Sequence, residues 1–576
     1  MIELLCPAGS PKAMEAAVMS GADAVYFGGS ALNARASAVN FKDEELAKWV
    51  SFCHKKGVKC YLTLNTVVSD REIKQMADYI KFITNAGVDG VIVQSIGLIS
   101  VIKSISPQLE VHASTQMSVH NLGGVEIATE LGCSRVVVAR ELSKENIEYI
   151  CKNTTAEIES FIHGALCMSY SGQCYLSALI GARSGNRGSC AQPCRQNYKG
   201  GYRLSLKDLS MAENFAEFLP LGVTSLKIEG RLKNPEYVGG VASIYRKLID
   251  EKRNATEKEI SDLKRLFSRS GFTNGYFKSE KGPNMFGIRT DKDKEMSKGF
   301  SVKQSKISQK PEIVVKDRET TDNLPELVGY KYKKSVYNFH FMKESQIPDK
   351  KYLDLAHHIW LPLFEIKNFK DERLGAILPA IIFDSEKERV KKKLIESGVK
   401  KALCRTISHI KLCLEAGVEP HGAFSMNFYN SYDLAQAKRI GLRETAVSIE
   451  AKLAQIRDMK KPLPVNAVVY GKIPVMTTEN CIIKNQGKCI NYKNSDKLSD
   501  KAASFDVVCE FGHRNIILNS VPINLSDKMK EFSGKDIKGL EFLFTTESKK
   551  EVEQVIDSYQ KGLKPKGNFT RGMYLK

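Results

Sequence analysis

KCYLTLNTVVSDREIKQMADYIKFITNAGVDGVIVQ, residues 59–94, is the stretch that decides the fold. It opens on an apolar β-like run and passes into a helix-period segment that starts at Ser69 and Asp70, natural N-cap residues, and ends at Gly87. A second apolar run, GVIVQ, follows. Strand, helix and strand in this order predict parallel pairing. The unit recurs in both directions. IELLCPA and AVYFGG precede it, LEVHAS, RVVVAR, IESFIHGA and SLKIEG follow, and segments such as SPKAMEAAVMSGA and DEELAKWVSFCHKKG lie between strands. Eight units in about 250 residues predict an α/β chain whose N-terminal part, 1–255, is a (β/α)8 TIM-type barrel. An open doubly wound sheet is the alternative, but no Gly-rich dinucleotide fingerprint opens the first unit.

Beyond the barrel, 256–310 reads as a Lys/Ser/Gly-rich connector with an arm, and 311–369, with the alternating run SVYNFHFM, as a small mixed insert. The remainder echoes the beginning. GVDGVIVQSIGLI from Gly87 matches GVKKALCRTISHI from Gly398, and HASTQMSVHN from His112 matches HGAFSMNFYN from His421. HGALCMSYSGQC from His163 matches YGKIPVMTTENC from Tyr470. Their common order predicts a second, abbreviated barrel-like α/β half over 370–576, without counterparts for the first two strands.

The 576 residues suggest about three or four domains, and 42% hydrophobic residues suffice for sizeable cores. The formal charge of +20, from 86 Lys+Arg against 66 Asp+Glu, favours polyanionic partners, nucleic acid first and anionic membrane second. MIELLCPAGS lacks the basic and apolar regions of a signal peptide, and no run is long enough to span a membrane. The expectation is a cytoplasmic chain with reduced thiols and no membrane partner, where a cysteine group is more often a metal site than a disulfide framework.

Four of the 14 cysteines, Cys167, Cys174, Cys190 and Cys194, follow one another as C-x6-C-x15-C-x3-C after the seventh strand candidate. That loop emerges at the C-terminal face of a barrel, where active sites of this fold lie. Structural zinc usually uses tighter C-x2-4-C knuckles, and the wide spacing better suits a bulky iron–sulfur cluster. Zinc, and inert buried cysteines, remain open. In the second half Cys481, Cys489 and Cys509 form a decayed or alternative site, with Pro474 where Cys167 would fall. Cys404 and Cys413 sit in apolar contexts that suit a core.

ESFIHGALCMSYSGQCYLS, with PAGSPKAMEAAVMSGADAVYFGG, HASTQMSVHN and SLKIEGRLKNPEYV, closely resembles the peptidase U32 family, the collagenase-like proteases. The resemblance covers residues 1 to about 285, and the two-part layout resembles the family's long members. It implies oxygen-independent hydroxylation rather than proteolysis. The expected reaction is C5 hydroxylation of a pyrimidine, a cytidine of 23S rRNA, with prephenate as hydroxyl source. Cys167, Cys174, Cys190 and Cys194 would hold a 4Fe-4S cluster. A tRNA wobble-uridine hydroxylase and a collagenase-like peptidase are the alternatives. The chain shows no convincing Ser/His/Asp order and no H-E-x-x-H motif.

Within that reading prephenate, a dianion, needs cationic clamps. Arg183, Arg187 and Arg195 lie beside the cysteines, and Arg140, Lys227 and Arg231 end strands. His163, His112 and Glu229 are candidate proton carriers, with Glu141 beside Arg140 similarly placed. Core hydrogen bonding is the alternative for the histidines, and ordinary surface charge for the arginines. RNA binding would rest on the positive balance, since no RRM, KH or zinc-knuckle module is present. Reaching C5 requires an unpaired or flipped base, as in an rRNA assembly intermediate. The electron donor is left open.

Overall fold

The computed structural model describes residues 2–30, 32–35, 38–302, 310–332, 334–487, 495–532 and 535–575. Cys489 lies outside them. The helix of the deciding stretch runs Asp70–Asn85 and shows why the pattern folds. Ser69 and Glu72 cap it reciprocally: Ser69 N donates to Glu72 Oε2 (2.8 Å) and Glu72 N to Ser69 Oγ (3.4 Å). Ile73, Met76, Ile80 and Ile83 form its buried stripe. Gly87, at φ +83°, takes the left-handed turn that returns the chain to the next strand.

The first seven strands are β1 (Glu3–Ala8), β2 (Ala24–Phe27), β3 (Lys59–Leu64), β4 (Gly90–Val93), β5 (Glu110–Ala113), β6 (Arg135–Val137) and β7 (Glu157–Gly164). After β8 (Ser169–Cys174) and β9 (Asp208–Ser210) comes β10 (Ser225–Ile228), which pairs parallel with both β1 and β7. The sheet therefore closes on itself as an eight-stranded parallel barrel. In the following arm, β11 (Phe272–Thr273) pairs with β9, which pairs antiparallel with β7. Residues 310–332 run beneath the barrel: Lys310 Nζ bonds Asp23 Oδ1 (2.6 Å), Ile313 N donates to His54 O (3.0 Å), and Thr321 N to Ile105 O (2.8 Å).

The second half is a complete barrel, not an abbreviated one. Its first two strands, β12 (Val336–Phe341) and β13 (Ala356–Pro362), come from the segment read above as a small insert. They are followed by β14 (Leu374–Ile377), β15 (Lys401–Cys404), β16 (Glu419–Gly422), β17 (Thr445–Ala446) and β18 (Val465–Gly471). A separate hairpin system then holds β19 (Pro474–Thr478), β20 (Ser495–Ser499), β21 (Ser504–Glu510) and β22 (Arg514–Leu518), and β23 (Ile523–Asn524) pairs antiparallel with β18. Last, β24 (Gly539–Phe544) pairs parallel with both β12 and β18 and closes the barrel. No helix among the described residues is long and apolar enough to cross a membrane.

The halves clasp each other through equivalent residues of the internal repeat. Asn121 Nδ2 donates to Ile382 O (2.8 Å), and its counterpart Asn430 donates to Val68 O (2.9 Å). Leu122 N donates to Asp384 Oδ2 (3.0 Å), and Ser431 N to Asp70 Oδ1 (2.9 Å). A five-stranded sheet, ordered β20-β21-β22-β19-β8, completes the junction, with Cys174 opposite Met476 across the antiparallel β8–β19 pair.

Asp433 is the most heavily bonded member of this clasp. Buried, it accepts from Ser95 Oγ (2.7 Å) and Gly97 N (2.8 Å) of the first barrel and from Tyr429 N (2.9 Å) and Asn430 Nδ2 (2.7 Å) of the second. Asp433→Ala leaves four donors without their acceptor, and a loss on the order of 3 kcal/mol is expected. Thermal denaturation of the variant checks this, and an unchanged Tm would mean that the clasp contributes little.

Candidate functional site

The interior of the first barrel is unusual in being charged along its axis, where most such barrels are filled with Val, Ile and Leu. At the base Arg135 bonds Glu3 Oε1 (2.6 Å) and lies 3.5 Å from Glu159 Oε2. Glu159 Oε1 accepts from Lys227 Nζ (2.6 Å), and that ammonium also lies 4.3 Å from the centre of the Tyr26 ring. Burial pulls Lys227 below the ordinary lysine range, with Glu159 opposing that pull.

Above this ladder, at the C-terminal ends of the strands, Glu229 meets two guanidinium groups: Arg35 Nη2 and Arg140 Nη2, each at 3.4 Å. Burial alone would raise the Glu229 carboxyl, but Arg35, Arg140, Arg231 and Lys227 together hold it below its ordinary value. It is therefore a carboxylate throughout the neutral range. Arg231 donates to Thr63 Oγ1 (2.9 Å) and Asn33 Oδ1 (3.4 Å), and burial brings it down to about 10. Arg140 lies with its guanidinium 4.1 Å from the centre of the Phe161 ring, and its buried Nε has no hydrogen-bond partner. Three guanidinium groups around one carboxylate leave two positive charges in excess, with Lys227 and Glu159 balancing each other below.

The four-thiol loop borders this pocket. Cys167 lies between β7 and β8, Cys174 ends β8, and Cys190 and Cys194 follow the short helix Leu176–Gly181. Cys167 acts electrostatically on each of Cys174, Cys190 and Cys194, and Arg35 feels both Cys167 and Cys190. Three of the sulfurs collect backbone N–H groups, Cys174 from Leu176, Cys190 from Gln192 (3.3 Å) and Cys194 from Met168. Such donors favour thiolate, the form that ligates metal. Burial pushes the Cys194 thiol up to about 11, and raises Cys174 and Cys190 as well. Among the described residues, the groups of three ligand atoms all within 4.8 Å of one another lie elsewhere, at His54, Cys60 and Asp89 and at His358, His421 and Glu444.

The sequence candidates thus separate by position. Glu229, Arg231 and Arg140 cluster together, with Lys227 below them on Glu159. Arg187 forks onto Glu72 (2.6 and 2.8 Å) and Val67 O (2.7 Å), tying the thiol loop to the helix Asp70–Asn85. Arg195 bonds Ser205 Oγ (3.0 Å), Leu206 O (2.5 Å) and Leu166 O (2.6 Å), and so folds that loop from inside. Arg183 Nε donates to Ser189 O (3.2 Å) within the same loop. His163 meets the Tyr245 hydroxyl at 3.3 Å, and burial drives it down to about 3. His112 is at the other end of the barrel, 3.3 Å from Glu110 and edge-on to Tyr61. Glu141 is buried beside Arg140 and is pushed up to about 8 by desolvation. Arg35, absent from the sequence candidates, stands in the loop after β2; its position at a strand's C-terminal end was the available signal.

Residues 9–286 match the model of the family described as peptidase family U32. A collagenase of Porphyromonas gingivalis is 37% identical over 306 residues, 48% of this chain and 73% of that protein. The chain belongs to peptidase family U32. Two further U32 relatives carry names that concern RNA. The "tRNA hydroxylation protein P1" of Bacillus subtilis is 41% identical over 265 residues, 43% of this chain and 63% of that protein. A 23S rRNA 5-hydroxycytidine synthase of Escherichia coli is 38% identical over 287 residues, 48% of this chain and 42% of that protein. In all three the matched share of this chain is less than half, and the family model ends at residue 286, before the second barrel begins.

Proposed function

We propose that this U32 chain is an RNA-modifying enzyme that hydroxylates C5 of a pyrimidine without molecular oxygen, its first target a cytidine of 23S rRNA. The observation that carries the reading is one juxtaposition: a four-thiol loop beside a cluster of three guanidinium groups on one carboxylate, at the C-terminal end of the first barrel. A 4Fe-4S cluster held by Cys167, Cys174, Cys190 and Cys194 would supply electron transfer next to the pocket. The N–H groups aimed at three of the sulfurs support that set of ligands, and the wide spread of the thiols suits a cluster better than one tetrahedral zinc, whose sulfurs sit about 3.8 Å apart.

Arg35, Arg140 and Arg231 bind the two carboxylates of prephenate, the hydroxyl source, with the unpartnered Nε of Arg140 as a spare donor. Glu229 keeps the empty pocket from repelling itself and, being ionised, is able to accept a proton but not to supply one. Glu141, near 8, is the group able to give one. A flipped base enters from the open face, held by the chain's positive balance.

A second reading, hydroxylation of a tRNA uridine, is favoured by the 41% identity with the Bacillus protein. Peptidase chemistry finds less support, because the buried His163 is bonded to Tyr245 and held neutral. Nucleoside mass spectrometry of fractionated RNA from a deletion strain tests these readings. Loss of 5-hydroxycytidine from 23S rRNA, restored by the gene, is expected. Loss of a hydroxylated uridine from tRNA would select the second reading, and unchanged RNA in both fractions would overturn the enzyme assignment.

A further inference from the structure

Lys233 stands in the turn between β10 and the helix Pro235–Glu251, at the C-terminal end of the first barrel. The residue is half-buried, and its ammonium has no hydrogen bond or ion pair among the described residues. It lies instead on two aromatic rings, with Nζ 2.7 Å from the centre of Phe267 and 5.5 Å from that of Tyr237. Ring faces attract a cation but do not neutralise it.

Two guanidinium groups of the arm share the Phe267 ring. Arg269 Cζ lies 5.0 Å from its centre and Arg289 Cζ 4.3 Å. Arg269 is ion-paired with the buried Asp208 of β9. Arg289 has no such partner: its Nη2 donates to Ser297 Oγ (2.7 Å), and its buried Nε has no hydrogen-bond partner. Three cations thus meet around one ring, with Asp208 as their one ion-paired carboxylate among the described residues. On one side Arg269 feels Cys194 of the thiol loop, and on the other Lys233 feels Glu229, already shared by three guanidinium groups. Burial, with Arg289 and Arg195 beside it, brings the Lys233 ammonium down to about 7, so a bound anion restores its charge. Uncompensated like charges held together lower the stability of the free chain, a sign of a site arranged for an anion.

We infer that Lys233, Arg269 and Arg289 form a phosphate-binding subsite that holds a phosphodiester of the RNA strand beside the target base. This rests on the RNA reading above and adds the residues that seat the backbone. A base that reaches the Glu229 pocket leaves its own phosphates at the mouth, where the cluster stands. Guanidinium forks and a lysine point charge are the usual phosphate partners. The arm brings two of the three cations, Arg269 before β11 and Arg289 before the helix Asp291–Met296.

The test uses the full chain, a fluorescein-labelled single-stranded RNA oligonucleotide and, separately, inorganic phosphate. Lys233→Met keeps an apolar stem on the two rings and removes the charge. RNA affinity at low salt should fall roughly fivefold, and the slope of log affinity against log salt should become shallower by about 0.7, the value of one single-strand phosphate contact. Lys392→Met, at an exposed position of the helix Asp384–Glu396, should change neither. Without ligand, Lys233→Met should melt at or above the wild-type temperature, since it removes a charge that lacks a counter-ion; a purely structural anchor would lower the Tm. Phosphate should raise the wild-type Tm more than chloride of equal ionic strength does, and the variant should lose most of that gain. If neither chain bound RNA while the phosphate response still depended on Lys233, the subsite would stand and the RNA reading would fall. RNA binding of equal affinity and salt slope in both chains would overturn the subsite, as would a phosphate response that ignores the substitution or a lower Tm in the free variant.

Discussion

Replacing Cys174 by serine is expected to remove bound iron and sulfide from the anaerobically purified chain and to reduce RNA hydroxylation to background, with the fold kept. Serine matches cysteine in size, and Cys174 is held in place by strand pairing: β8 pairs with β19, and the backbone stays whatever the side chain. What changes is the ligand. A hydroxyl is a hard, weakly acidic donor where the site offers a sulfur, a backbone N–H from Leu176 and three further thiols. Burial raises the Cys174 thiol far above its ordinary range, so the metal-free residue is neutral, and only ligation holds it as thiolate. The measurement is iron and sulfide content with a visible spectrum, where a broad visible absorption band marks the cluster. Circular dichroism beside it shows whether the barrels persist. Cys151→Ser should behave as wild type. Full iron and sulfide in Cys174→Ser would remove the cluster from this loop and with it the redox reading.

The first barrel was legible because its strands are short apolar runs divided by capped helices, a pattern that local physics alone enforces. The second was read as incomplete for a physical reason. Its first two strands carry Asn338, His340 and His358 among their buried residues, so the apolar run that marks a strand is interrupted. Those polar groups are satisfied only by partners far along the chain: Asn338 Nδ2 donates to Glu541 Oε1 (3.0 Å), and His358 lies 3.2 Å from Glu444. Sequence periodicity does not contain such pairings.

The same limit applies at the site. The spacing of Cys167, Cys174, Cys190 and Cys194 marked a four-thiol loop, but not that β8 within it would pair with the other barrel. Arginines next to the cysteines looked equivalent in sequence. Three-dimensional bonding keeps all three of them, Arg183, Arg187 and Arg195, on the thiol loop itself, while the guanidinium groups around Glu229 come from Arg35, Arg140 and Arg231 on other loops.

Glu229→Gln is expected to destabilise the free chain and, at the same time, to strengthen its response to a dicarboxylate. The carboxylate neutralises one of three guanidinium groups in a buried pocket, and the amide keeps its shape without its charge. Removing one partner of a fully buried ion pair costs about 3–5 kcal/mol, because the remaining cations are left without a counter-ion, and this partly exposed group, with Arg35 32% exposed, falls at or below the lower end of that range. For a domain of this size that corresponds to a fall in Tm of roughly 10 °C. The excess charge in the pocket rises from two to three, so an added dianion now replaces a missing partner as well as filling its own place. Prephenate should therefore raise the Tm of Glu229→Gln by more than it raises the wild type's. Arg140→Ala should lower the response in both backgrounds, since it removes a clamp. Differential scanning calorimetry with and without prephenate separates the possibilities. A large Tm loss without recovery on adding prephenate would make Glu229 a purely structural charge. A variant as stable as wild type would show that Arg35 and Arg140 do not depend on it.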